Sequence, residues 1–189
     1  MPRNTQPNRS TSQAVFAQYA ALAGLVTAVD LLSKFVAVRS LGVGVAHPLL
    51  DRFSLFVTFN TGVVGGATIG AYTMPLNVLV TTIALLLITA IVRQLAEVDS
   101  ASTPALAFVC GGALGNMASM LFGPEGVADF LAIRINAGTT IVMNVADAAL
   151  WVGALMLLPV VVRLSRAVRG QRHAASTLTT SRLRVVAER

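Results

Sequence analysis

The sequence predicts an all-α integral membrane protein with four transmembrane helices and a small β-containing extracytoplasmic segment between the first and second. Three observations carry this reading. The 189 residues are 55% hydrophobic and only 12% charged, with a mean hydropathy of +0.74, which is more apolar than water-soluble domains are. A hydrocarbon core about 30 Å thick takes roughly 20 apolar residues in a helix, and four stretches meet that length. Lys and Arg are distributed unevenly between those stretches, which gives the chain an orientation.

The first span covers residues 16–38. Arg3 and Arg9 precede it, as in a signal peptide, but it is longer than a signal-peptide core, carries Asp30 and Lys34, and ends without a small-x-small cleavage site. It is therefore read as a retained helix. Residues 41–72 are Gly-rich, β-branched and aromatic. Phe53, Leu55, Val57 and Phe59 alternate with Ser54, Phe56 and Thr58, so a short strand or two is expected on the outer membrane face, followed by a flexible turn from Asn60 through Gly62 and Gly65. The second and third spans cover 74–92 and 104–122. Gly123-Pro-Glu-Gly then reads as a tight turn before Val127-Ala-Asp-Phe, and the fourth span covers 140–162. The expected divisions are a flexible cytoplasmic arm (1–13), the four-helix body (14–163) and a basic cytoplasmic tail (164–189). Residues 170–189 are too polar to fold alone.

Arg3, Arg9, Arg93 and the tail arginines 163, 166, 169, 172, 182, 184 and 189 fall on one side of the membrane, and only Arg39, Arg52 and Arg134 on the other. Both termini are accordingly expected in the cytoplasm. The net charge of +6 and pI near 11 reflect this tail and its attraction to anionic lipid. Nucleic acid is not an expected partner, since no aromatic-interleaved basic surface accompanies the charge. Cys110 is the only cysteine, so no internal disulfide forms, and it is expected to pack within its span. His47 and His173 fall on opposite sides of the membrane, so no metal site and no cofactor are expected.

Ionisable groups inside spans are costly and mark candidate sites. Asp30 and Lys34 are four residues apart, share a helix face and can pair. That pair is either structural or a grip on the polar head of a substrate. Asp147 begins the fourth span one turn after Asn144. A carboxylate partly withdrawn from water resists ionisation, which suits a group that exchanges protons with substrate, and Asn144 is available to cap the helix. Gly111, Gly112 and Gly115 are small enough to let helices approach closely, whereas the Asn116 amide needs hydrogen-bonding partners within its span.

Five ordered motifs complete the sequence reading: Asp30-x-x-x-Lys34; Asn60-x-Gly62; Gly111-Gly-Ala-Leu-Gly-Asn116; Val127-x-Asp129-Phe130; and Asn144-Val-Ala-Asp147. In this order, over residues 20–160, the chain resembles the lipoprotein signal peptidases (signal peptidase II), intramembrane aspartic peptidases of bacteria. The resemblance implies an inner-membrane endopeptidase that cleaves diacylglyceryl-modified prolipoproteins before the lipidated Cys. It implies substrate contacts at Asn60, Gly62, Asn116, Asn144, Asp30 and Lys34. It also implies two catalytic aspartates, one in Gly-Asn-x-x-Asp-Arg and one in Asn-x-Ala-Asp. Asp147 stands at the second. Ser119 stands where the first is expected, and Met120 where the arginine is expected. A serine hydroxyl is not a general base near neutral pH. The open readings are therefore that Asp129 pairs with Asp147, that Ser119 is a nucleophile activated by Lys34 or Asp147, or that the protein binds lipoproteins and cleaves them slowly or not at all. A small transporter using Asp30, Lys34 and Asp147 is a further alternative. Its ionisable groups lie toward one membrane face, however, and the chain has no repeat symmetry.

Overall fold

The computed structural model describes residues 9–61, 68–123 and 125–187. Gly62 and Gly65 lie outside them. Four helices among the described residues are long and apolar enough to cross a membrane: α1 (Arg9–Leu41), α2 (Thr73–Val98), α3 (Ser102–Phe122) and α4 (Val145–Ala187). Their outer faces carry Leu79, Leu86, Leu87, Trp151, Leu155 and Leu158 largely exposed, an apolar surface of the kind that lipid covers.

Helix α3 is the centre of the bundle and packs on each of the other three helices. Its glycines set that role. A Cβ on Gly111 would meet Ala23 and Val26 of α1, one on Gly112 would stand 2.5 Å from the Ala146 carbonyl of α4, and one on Gly115 would stand 2.5 Å from Asp30 Oδ2. Without Cβ atoms, α3 approaches α1 on one face and α4 on another at close range. Lower in the bundle, Tyr19, Leu85, Val92, Leu106 and Cys110 form a buried cluster. At the same end, Arg163 Nε lies 2.6 Å from Asp99 Oδ2, joining the α2–α3 connection to α4.

At the opposite end, the connections α1–α2 and α3–α4 build one antiparallel sheet in the order β1 (Ala46–Pro48), β2 (Phe53–Asn60), β3 (Val127–Asn136), β4 (Thr139–Met143). A register shift between Leu55 and Thr58 brings Thr58 opposite Asp129. Val57 and Phe130 are buried with Ala37, seating the sheet on the end of α1.

Two expectations need correction. The second connection is not merely a turn: it supplies half of the sheet, with Asn136 Oδ1 accepting from the Gly138 amide to close the β3–β4 hairpin. The fourth helix starts at Val145, because the β-branched run 139–142 pairs with β3. Helix α1 begins at Arg9 and α4 extends to Ala187, within the segments expected as arm and tail. A helix already nucleated within a bundle extends into polar sequence without a fresh nucleation cost.

Candidate active site

The site lies where the sheet meets the ends of α1, α3 and α4. Asp30 and Lys34 are 0% and 5% exposed, and Lys34 Nζ donates to Asp30 Oδ2 at 2.7 Å. The other carboxylate oxygen, Oδ1, accepts from the Ala146 amide at 2.8 Å, one of the free N–H groups in the first turn of α4. The Asp30–Lys34 pair is thus structural in geometry: it ties the first span to the fourth.

From Lys34 the network continues across α3. Its ammonium also donates to Asn116 Oδ1 at 2.8 Å. Because an ammonium has only protons to offer, that oxygen assignment leaves the Asn116 amide nitrogen to face a carboxylate. It donates to Asp147 Oδ1 at 2.8 Å. Asn144 Nδ2 donates to Asn116 Oδ1 at 3.1 Å and to Asp129 Oδ1 at 2.6 Å. Asn144 is also the N-cap of α4, as expected. The Asp147 amide donates to Asn144 Oδ1 at 2.9 Å, and Asp147 Oδ2 accepts in return from the Asn144 amide at 3.1 Å. This reciprocal capping box fixes the Asp147 carboxylate while leaving it at a cavity wall.

Asp129 enters from β3 and is buried. Its carboxyl is pushed up to about 6, chiefly by burial and further by the nearby Asp147 charge, against hydrogen bonds from Asn144 and Asn60 and the charge of Lys34. Asn60, Asn116, Asp129, Asn144 and Asp147 all line one cavity of about 350 Å³, closed on its other side by Asn77, Thr81, Ala84 and Ile88 of α2. The arrangement brings two carboxylates from separate elements to one pocket with amide donors around them.

Ser119 is not in that pocket. Its hydroxyl donates to the Gly115 carbonyl at 2.9 Å, and it lines a second cavity of about 380 Å³ with Leu31, Phe35, Phe59 and Phe122. Met120, in contrast, lines the first cavity. Asn77 and Thr81 also line the cavity without belonging to any of the sequence motifs; an amide four residues before a threonine in a mostly aliphatic span was the visible signal.

Four membrane-length helices, a small sheet over one end and a buried carboxylate–amide network define a polytopic membrane protein with an acid-type site. The family model for signal peptidase II matches residues 22–163. A lipoprotein signal peptidase of Geobacillus thermodenitrificans (strain NG80-2) is 33% identical over 141 residues, covering 74% of this chain and 86% of that protein. The chain belongs to the signal peptidase II family. Two solved structures titled as a bacterial membrane enzyme share the fold. One has a TM-score of 0.69 at 20% identity and covers 78% of this chain and 88% of that one. The other has a TM-score of 0.68 at 20% identity, with 77% and 92% covered.

Proposed function

We propose that the protein is an active lipoprotein signal peptidase of the bacterial inner membrane, with both termini cytoplasmic, and that Asp129 and Asp147 are its catalytic pair. One observation supports this above all: the two carboxylates line a single cavity and are held by the same residue, Asn144. On this reading no carboxylate is missing from the chain, and Ser119 has no chemical role.

Two close carboxylates that share one proton can act as acid and base together. Asp129, whose burial favours the protonated form, donates to the carbonyl oxygen of the scissile bond. Asp147 takes a proton from the water that attacks the carbonyl carbon. Return of a proton to the peptide nitrogen breaks the C–N bond, leaving a carboxylate on the signal peptide and a free amine on the lipidated Cys. Asn116 holds Asp147 in place for this step, and Lys34 holds Asn116.

The test uses the full chain in detergent with a diacylglyceryl-modified prolipoprotein. The native chain and Ser119→Asp are expected to cleave at rates within about fivefold of each other, while Asp129→Asn and Asp147→Asn each lose about a thousandfold or more in kcat. A native chain that binds the lipidated substrate without cutting it is a binding homologue, and the peptidase reading fails. Cleavage that appears only in Ser119→Asp would put the second carboxylate at position 119.

A further inference from the structure

The wall of the reactive cavity opposite the carboxylates belongs to α2, and among the α2 residues that line it Asn77 and Thr81 are the polar ones. They sit one turn apart, both facing the cavity, and Thr81 Oγ1 donates to Asn77 Oδ1 over a long 3.4 Å. Among the described residues the Asn77 amide nitrogen has no hydrogen-bond partner. The Asn77 side chain is half-buried at the cavity wall, where a polar group facing hydrocarbon gains from a hydrogen-bonding ligand. The other asparagines on this cavity, Asn60, Asn116 and Asn144, have their side chains engaged by the carboxylates and by each other. The Asn77 amide takes no part in that network.

We infer that Asn77, supported by Thr81, is a substrate-positioning residue that hydrogen-bonds the main chain of the bound peptide on the side away from Asp129 and Asp147. A segment that crosses the membrane as a helix has its backbone groups paired internally. To expose a scissile bond to two carboxylates it must become extended there, and each extended residue presents an unpaired N–H and C=O inside an apolar cavity. The carboxylates and their amides meet one edge of such a strand. A primary amide carries both donor and acceptor, so one side chain can satisfy both group types on the other edge. The ligand class is therefore an extended peptide read through its backbone, which is compatible with variation in its side chains.

The inference rests on the peptidase reading, and the experiment separates the two. KM and kcat are measured on the lipidated prolipoprotein for the full native chain, Asn77→Leu, Asn77→Gln and Thr81→Val. Equilibrium binding of the same substrate is measured with and without Asn77→Leu in an Asp147→Asn background. Asn77→Leu is expected to raise KM five- to tenfold with kcat changed less than twofold, because the contact is made equally in ground and transition states. Asn77→Gln recovers part of the loss. A substrate with an ester in place of the contacted amide loses affinity toward the native chain and no further affinity toward Asn77→Leu. A native chain that does not cleave, together with weaker binding on Asn77→Leu, overturns the peptidase reading and keeps this one. Unchanged KM and unchanged binding overturn the role of Asn77, as does a loss confined to kcat or to thermal stability.

Discussion

Asp129 titrates against three neighbours, Asn144, Asn60 and Asp147, with Lys34 further off, and desolvation prevails. The folded protein therefore binds this proton up to about pH 6, whereas the unfolded chain releases it near 4. Between those values the folded state holds more protons, so stability falls as pH rises from about 4 to 6 and is level above that. Asp129→Asn removes the penalty. Its stability at pH 7.5 is expected to exceed that of the native chain by about 3 kcal/mol, read as a higher melting temperature, and the gap should close at pH 4; a gap that widens in acid would contradict the assignment. Lys34→Met should act in the opposite sense at all pH values near neutrality. It leaves the Asp30 carboxylate buried without its cation, a change that costs about 3–5 kcal/mol in buried pairs and should appear as a large drop in thermal stability in detergent. The residues of this network were legible in the sequence as motif positions, and their residue types announced polar partners. Which atom meets which was not, because the capping box at Asn144 and Asp147 and the Asp30–Ala146 contact depend on where two distant helices end.

Helix α3 is the element on which the site depends. Gly115→Ala would set a methyl 2.5 Å from Asp30 Oδ2, forcing α1 away from α3 or pushing the carboxylate off the α4 amide. We expect about 1–3 kcal/mol of destabilisation together with loss of cleavage. Gly24→Ala is the control: nothing lies within 4 Å of its would-be Cβ, so it should be neutral or slightly stabilising in a helix interior. Thermal melts of both variants in one detergent decide this. The helices were readable from hydropathy alone, since apolar length is a strong signal. The β3–β4 hairpin was harder to read. Its Asn136-Ala-Gly138 turn and the β-branched run after it were present in the sequence, but the run abuts an apolar helix and merges with it in hydropathy. The full length of α4 was not legible for the converse reason, since polar composition says where a span ends and not where a helix does.

For the molecule as a whole, both sheet-forming connections lie at one end of the bundle, and the α2–α3 connection lies at the other. With the arginine distribution this predicts the sheet outside the cell membrane. In a Cys110→Ala background, Gly138→Cys should react with a membrane-impermeant thiol reagent on intact spheroplasts, and Ser100→Cys only after lysis; the reverse pattern would invert the topology. The order of the chain also bears on how the protein is made. The Asp30 carboxylate of α1 accepts from a backbone amide of α4, which is synthesised after α1. Until then, Lys34 on the same helix is its available counter-ion, and the pair lets the first helix enter lipid as a neutral dipole. Because residues of α4 line the cavity together with those of α2, α3 and β3, the reactive pocket comes into being only once α4 has been made.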